Sequence, residues 1–115
     1  MKPVFLRTVA ERFFGGELDR LVDKVEERTA AGMATALGKL KNAISAHPGS
    51  GSPRYANLLD VPGLRHRKLG RYRYLVFYVE RDTYIDVWQI LHANMDILNR
   101  LRDPDVPGEG EANDA

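Results

Sequence analysis

The apolar segment Tyr74–Val79 restricts the possible folds of this chain more than any other part of the sequence. Its six residues, YLVFYV, are all aromatic, β-branched or leucine, a composition typical of strands. Because neither of its alternating sides is polar, we expect a central strand over Tyr72–Glu80 that is covered on both faces. The rest of the chain must therefore supply neighbouring strands and packing helices.

Two further strands are predicted beside this segment. Leu64–Leu69 precedes a turn at Gly70-Arg71, and Tyr84–His92 follows a tight connection at Arg81–Thr83. Val4–Leu6 fits a short additional strand. Short connections join antiparallel neighbours, so the pattern predicts an antiparallel sheet of three to four strands.

Two amphipathic helices are predicted before the sheet. A capping-box pattern at Thr8–Glu11 indicates a helix start, and the sequence leaves open whether this helix continues through Gly15-Gly16 or restarts at Glu17. Apolar residues at helical spacing are Leu18, Leu21, Val22 and Val25 in the first helix and Met33, Leu37, Leu40 and Ile44 in the second, with Thr29–Gly32 as the link. The Pro- and Gly-rich segment His47–Pro53 ends the second helix.

A short closing helix fits Ile97, Leu98 and Leu101. The predicted order is therefore (β)ααβββ(α). This order indicates a small single α+β domain, with an N-terminal α-hairpin packed on one face of the antiparallel sheet.

The charge of the chain is distributed unevenly. Residues 103–115 hold five of the 16 acidic residues and none of the 17 basic ones, so residues 1–102 carry a net charge of +6. We expect residues 1–102 to form the domain and residues 103–115 to be a disordered acidic tail, because the tail has little to bury. A body this basic attracts acidic protein surfaces or nucleic acid.

Several classes of site are excluded or disfavoured. Without cysteine, the chain has no disulfide, no cysteine-based zinc site and no thiol nucleophile. The histidines His47, His66 and His92 lack the short spacing of metal ligands, and no phosphate-binding glycine loop is present, so no cofactor is expected. Neither a signal peptide nor a membrane span is predicted, and we expect a cytoplasmic protein.

The densest basic cluster is Arg65, His66, Arg67, Lys68, Arg71 and Arg73. In a strand, Arg65 and Arg67 would share one face, and His66 and Lys68 the other. Basic side chains commonly protect an edge strand from unwanted pairing. A charged edge strand can also accept an extended partner segment, and both interpretations stay open.

Two motifs resemble the ParE branch of the ParE/RelE toxin superfamily. One is Tyr74–Tyr78, similar to the Tyr-Leu-Ile/Val-Phe-Tyr strand of that branch; the other, fourteen residues later, is His92–Asp96, similar to its His-Gly-Ala-Arg-Asp ending. The resemblance is good over residues 58–98 and looser over the helices. It implies the toxin of a type II toxin–antitoxin system that is neutralised by a cognate antitoxin.

The resemblance also implies partners. ParE-type members poison DNA gyrase, so gyrase is the expected target. A ParD-like antitoxin is the expected companion in a hetero-oligomer, and operator DNA would be contacted only through that antitoxin. RelE-type members instead cut mRNA on the ribosome, and a third possibility is an inactive toxin-like binding module.

The residues that distinguish a nuclease from a gyrase poison are absent. RelE-type nucleases resemble one another in having an arginine second in the Tyr-x-x-x-Tyr strand and another next to last in the final motif. Leu75 and Met95 occupy these positions here. An aliphatic side chain can neither transfer a proton nor offset phosphorane charge, so we expect no enzyme activity. Met95 departs from the ParE pattern as well.

No catalytic residues are therefore assigned. The candidates for contact with the target or the antitoxin are Arg65, Arg67, Lys68, Arg71, Arg73, His92 and Asp96. For His92 and Asp96 a structural role is also available, since a histidine can end a strand and an aspartate can cap the last helix. If the chain were a nuclease, its catalytic groups would have to come from Arg67, Lys68, Arg73 or His92.

Overall fold

A computed structural model describes residues 1–23 and 26–102. The elements are β1 (Val4–Leu6), α1 (Thr8–Asp23), α2 (Glu27–Ala46), α3 (Arg54–Leu59), β2 (Leu64–Lys68), β3 (Tyr74–Glu80), β4 (Ile85–His92) and α4 (Ile97–Arg102). The predicted α+β class is confirmed, and the helices and strands follow in the predicted order except for α3, a short helix before β2 that was not predicted. Across these residues, no helix has the length and apolar character needed to cross a membrane. The predicted tail 103–115 and Val25 lie outside the described residues.

The four strands form one mixed sheet in the order β1-β4-β3-β2. Strand β3 is antiparallel to both neighbours, with Phe77 opposite His66 on one side and Gln89 on the other. The prediction of a fully antiparallel sheet is wrong at β1, which runs parallel to β4. A parallel pair needs a long connection, and everything from α1 to β3 lies between these two strands.

The central strand is covered on both faces, as predicted. On one face, Tyr78 and Val76 belong to a core built with α1 and α2; on the other, Phe77 and Val79 pack in a second core with α3 and α4. The α-hairpin of α1 and α2 lies on one face of the sheet, as predicted, but the expectation that all the helices gather on that face is wrong, because α3 and α4 cover the other. Because successive side chains of β3 point to opposite faces and nearly all are apolar, a single helical layer would leave half of them in water.

The first helix runs without interruption through Gly15-Gly16. Glycine in a helix costs about 0.5–1 kcal/mol relative to alanine. Burial of Phe14 before the pair and Leu21 after it offsets this cost. The predicted apolar face is only partly correct, because Val22 is 48% exposed.

The second helix begins at Glu27, earlier than predicted. The segment Thr29–Gly32 lies inside α2 and is not the link between the helices, since α1 ends at Asp23. The four apolar residues predicted to face the core, Met33, Leu37, Leu40 and Ile44, are all buried. The shift occurs because alanine and threonine continue a helix when the next turn buries its apolar face.

The hydroxyl of Tyr78 joins the sheet to the segment after α2. It accepts a hydrogen bond from the backbone N–H of Gly51 at 3.1 Å and donates one to the carbonyl of Pro48 at 2.7 Å. A Cβ atom on residue 51 would lie 2.5 Å from this hydroxyl oxygen, so glycine is required there. The irregular segment between α2 and α3 is thereby fixed to the central strand.

We predict that Tyr78→Phe lowers the free energy of unfolding by about 1–3 kcal/mol, because the buried N–H of Gly51 and the partly buried carbonyl of Pro48 lose their partner. Urea denaturation followed by circular dichroism measures the change. Tyr84→Phe is the matched control, since the Tyr84 ring lies at the surface against Phe5. Equal stability of the two variants would contradict this role of Tyr78.

Candidate functional site: a basic groove beside α2

An open groove lies between α2 and the turn that joins β2 to β3, with a volume of about 940 Å³. Its lining residues are Ala31, Gly32, Thr35, Ala36, Lys39, Leu40 and Ala43 from α2, and Arg67, Lys68, Gly70, Arg71 and Tyr72 from the turn region. The α2 side offers mostly small apolar side chains. The other side is dominated by basic ones.

Close packing of the turn against α2 forms the groove. Gly70 has a positive φ of 54°, which glycine adopts readily, and a Cβ atom there would contact that of Ala36 at 3.5 Å. The hydroxyl of Tyr72 occupies the place that a Cβ atom on Gly32 would take. Close packing of the turn on α2 therefore depends on two glycines, Gly70 in the turn and Gly32 in α2.

All four charged residues that line the groove are basic. Arg67 donates a hydrogen bond to the Ser50 hydroxyl at 3.1 Å, and the Arg71 guanidinium lies 5.3 Å from the centre of the Tyr72 ring. Lys39 and Lys68 are exposed. Three of the residues predicted from sequence, Arg67, Lys68 and Arg71, thus lie at one groove, where they raise the local positive potential.

The other two predicted arginines lie elsewhere. Arg65 donates a hydrogen bond to the Gly51 carbonyl at 2.7 Å and is half-buried, so it helps to hold the segment after α2. Arg73 is exposed and lies outside the groove lining.

Strand β2 is an edge strand, but its outer side is partly occupied. The N–H of Ser52 donates to the carbonyl of His66 at 2.9 Å, and the N–H of His66 donates to the Ser52 carbonyl at 3.0 Å. An extended partner segment therefore cannot pair along the whole length of β2. The interpretation of this edge as a docking site is corrected accordingly.

His92 ends β4 beside a cluster that includes Tyr74, Glu17 and Arg20. The rings of Tyr74 and His92 meet edge to face at 5.0 Å, and the Tyr74 hydroxyl donates to the Glu17 carboxylate at 2.5 Å. The Nδ1 atom of His92 accepts a hydrogen bond from the N–H of Asn94 at 3.1 Å. Burial, together with the bond to Glu17, raises the pKa of Tyr74 to about 12, so its hydroxyl remains a donor at neutral pH.

The motif His92–Asp96 leads into α4, which begins at Ile97. The carboxylate of Asp96 accepts bonds from the Asn99 side chain at 2.7 Å and the Asn99 backbone N–H at 3.5 Å, at the start of α4. Met95 and Leu75 pack against the core between the sheet, α3 and α4. The two positions where nucleases of the superfamily have arginine are thus filled by partly buried apolar side chains.

The histidines show no metal site within residues 1–23 and 26–102, where no cluster of three or more possible ligands occurs. His66 packs between Tyr55 and Phe77, and burial, with a smaller contribution from Arg54, lowers its pKa. His47 follows the end of α2.

Two features of the structure were not predicted from the sequence. Lys39 lies at the groove rim, but nothing around it in the sequence of this amphipathic helix indicated that position. Asp86, only 5% exposed, forms ion pairs with both Arg7 and Arg81 at 3.0 Å. The charge of a lone aspartate within an apolar strand could have indicated such a buried pair.

Comparisons with known proteins agree with the fold. The family profile described as "ParE toxin of type II toxin-antitoxin system, parDE" matches residues 14–97. A solved structure described as "Chromosomal ParDE TA system from P. aeruginosa" is similar, with a TM-score of 0.65 and 18% sequence identity over 82% of this chain and 98% of that chain. No significant match was found among curated protein sequences.

We predict that the hydrogen bonds of Glu17 with Tyr74 and Arg20 make the free energy of unfolding depend on pH. Burial raises the pKa of Glu17, but hydrogen bonds from Tyr74 and Arg20 outweigh it and place the pKa below its ordinary value of 4.5. A carboxylate whose pKa is lower in the folded state than in the unfolded chain stabilises the fold above pH 4.5. This stabilisation is lost as the pH falls through the lower pKa of the folded state. We therefore expect the unfolding midpoint of Glu17→Gln to decrease less steeply towards acid pH than that of the unaltered protein.

The control for this series is Asp19→Asn, which removes one carboxylate from an exposed position of the same helix. Thermal unfolding from pH 7 to pH 3 should show the same slope for this variant as for the unaltered protein. An identical slope for Glu17→Gln would exclude the cluster as a source of pH dependence.

Proposed function

The chain belongs to the ParE toxin family of type II toxin–antitoxin systems, and we propose that it inhibits DNA gyrase by binding, without catalysing a reaction. Its role as a toxin with an antitoxin partner follows from the family. The finer proposal is that gyrase is the target, that the antitoxin is ParD-like, and that operator DNA is bound through the antitoxin.

The observation that supports inhibition by binding is the position of Leu75 and Met95. Both pack against the core on the α3–α4 face of the sheet. RNA cleavage needs groups that move protons and offset negative charge. Apolar side chains held in a core can do neither, so the nuclease members' chemistry has no equivalent at these positions.

Among the residues named above as substitute nuclease groups, His92 is the histidine, the commonest general acid or base, and it is engaged in local structure. Its Nδ1 atom accepts the Asn94 N–H, and its ring packs on Tyr74. The neighbouring Tyr74 hydroxyl is bonded to Glu17 and has a pKa of about 12, far from the value of an efficient acid or base at neutral pH. This arrangement favours a structural role for the cluster.

We predict that the purified toxin inhibits supercoiling by gyrase at near-stoichiometric concentration and that an equimolar amount of its antitoxin reverses the effect. An agarose gel assay of relaxed plasmid, gyrase and ATP measures this. The same preparation should leave ribosome-bound messages intact when their ends are mapped by primer extension. Unimpaired supercoiling at a tenfold excess of toxin, or cut messages, would contradict the proposal.

A substitution at His92 separates a structural role of this residue from a direct role in toxicity. We predict that His92→Gln changes the inhibitory concentration less than about tenfold, because glutamine can still accept the Asn94 N–H. Loss of a general acid or base instead lowers rates by about 10²–10⁴-fold. The supercoiling assay and growth arrest after induction both report the effect, and the amount of folded variant is the control. A collapse of toxicity with the fold intact would contradict the structural role and show that His92 acts directly, either as a contact to the target or in chemistry.

A further inference from the structure

We infer that the toxin contacts its protein target through a patch of aromatic and arginine side chains at the β1 edge of the sheet. This aromatic–arginine patch consists of Phe5, Arg7, Arg81, Tyr84 and Trp88. The surface that it fits is a protein surface with an apolar recess flanked by carboxylates. The inference rests on the proposed inhibition by binding and adds to it a contact surface separate from the groove.

Pairing of β1 with β4 brings the patch together on one face of the sheet. Phe5 lies beside Asp86 in the parallel register. The rings of Phe5 and Tyr84 meet edge to face at 5.9 Å, and the Arg7 guanidinium lies 5.3 Å from the centre of the Trp88 ring. The residues between them along the two strands point into the core formed with α1 and α2. The patch therefore lies on the face opposite that core.

The two outer rings of the patch are exposed. Phe5 is 58% and Tyr84 36% exposed. Within residues 1–23 and 26–102, the other exposed large apolar side chains are Met1, Val22 and Leu58. Single exposed apolar residues are ordinary on a protein surface. Two aromatic rings in contact instead form a continuous apolar surface, which is typical of a site that a partner buries.

One buried carboxylate holds both arginines in place. Asp86 accepts hydrogen bonds from Nε and Nη2 of Arg7, both at 3.0 Å, and from Nε and Nη2 of Arg81 at 3.2 and 3.0 Å. The side chains of Arg7 and Arg81 are 31% and 41% exposed, whereas that of Asp86 is 7% exposed. Their conformational entropy is therefore largely lost on folding, and binding a partner does not require that loss again.

The charge and composition of the patch fit the centre of a protein interface. A single carboxylate offsets only one of the two guanidinium charges, so a positive charge remains beside the exposed rings. Such a charge favours a carboxylate on the partner. Tryptophan, tyrosine and arginine are the residues that most often dominate the free energy of binding, and they cluster near the centre of an interface. The patch contains all three types.

A nucleic acid strand fits the patch less well. Affinity for a phosphate backbone comes from several cations that each contact a phosphate. Here Arg7 and Arg81 share Asp86, and the neighbouring Lys2 is paired with Glu80 at 2.8 Å. The excess charge is therefore too small to bind a backbone strongly.

Two occupants of the chain's own sequence are also disfavoured. Twofold pairing of two copies would place the patch against itself, so the excess positive charges would repel, and β1 offers only three residues for strand pairing. Residues 103–115 have the required acidic charge. Besides two prolines, however, Val106 is their one apolar side chain larger than alanine, which leaves little to cover two aromatic rings.

The first test removes the exposed rings. Phe5→Ala with Tyr84→Ala truncates both, whereas the control, Val22→Ala with Leu58→Ala, truncates two exposed apolar side chains on α1 and α3. We expect the concentration for half-inhibition of gyrase supercoiling to rise at least about tenfold for the ring variant and less than about threefold for the control. Thermal unfolding shows that each variant is folded.

A second variant tests the charge and leaves the rings in place. Arg81→Gln removes one guanidinium, and Arg100→Gln makes the same charge change at an exposed position of α4. We expect association with immobilised gyrase to slow at least about threefold for Arg81→Gln and to stay unchanged for the control, because a charge beside an interface acts mainly on the association rate.

Growth arrest after induction tests the patch without assuming which protein is the target. The ring variant should lose growth arrest at equal amounts of folded protein, and its control should retain it. If the unaltered protein leaves gyrase uninhibited while the ring variant still loses growth arrest, the proposed target is wrong and the docking surface is supported. Full growth arrest by the folded ring variant, or undiminished inhibition of gyrase, would overturn the inference.

Other occupants of the patch give different results, and each of them overturns the inference. Loss of antitoxin binding by the ring variant, with unchanged toxicity, would assign the patch to the antitoxin. A dimer in sedimentation that the ring variant abolishes without loss of toxicity would assign it to a second copy. Amide resonances of the patch that shift on removal of residues 103–115, again without any effect of the ring variant on toxicity, would assign it to the chain's own acidic segment.

Discussion

Burial of the central strand on both faces is the constraint on which the rest of this structure depends. The side chains of Tyr78 and Phe77 point to opposite faces of β3, and each is fully buried. Because the strand has almost no polar side to leave in water, the fold requires one helical layer from α1 and α2 and another from α3 and α4. The Tyr78 hydroxyl then fixes the segment after α2 to the sheet, because it forms hydrogen bonds with Gly51 and Pro48.

The parts of the fold that follow from local pattern could be predicted from the sequence. The period of Met33, Leu37 and Ile44 defined the buried face of α2, and the apolar run at Tyr74 defined the inner strand. Contacts between distant segments could not be predicted in this way. The parallel pairing of β1 with β4 joins residues that lie 81 positions apart, such as Val4 and Ile85, so no local pattern indicates it. The helix through Gly15-Gly16 depends on burial that its own propensity does not reveal.

The candidate site was predictable in part for the same reason. A cluster of cations close together in sequence, Arg67, Lys68 and Arg71, was visible as a motif, and the structure places all three at one groove. Lys39 is distant in sequence and became part of that surface only through packing of the turn on α2. Arg65 shows the opposite case, because its side chain belongs to the same motif but bonds to the Gly51 carbonyl.

The two faces of the sheet differ, because α3 and α4 close an apolar core on one face and α2 borders an open groove with a basic rim on the other. Leu75 and Met95 add apolar contacts to the α3–α4 side of the sheet, so both positions contribute to packing. On the opposite side, glycines at 32 and 70 let the turn approach α2 and leave a groove with an apolar floor. Burial of that floor can supply affinity, while the basic rim supplies orientation and speed of association. The proposed inhibition by binding would draw on these two properties and needs no catalytic group, so it is compatible with Leu75 and Met95 at the two positions.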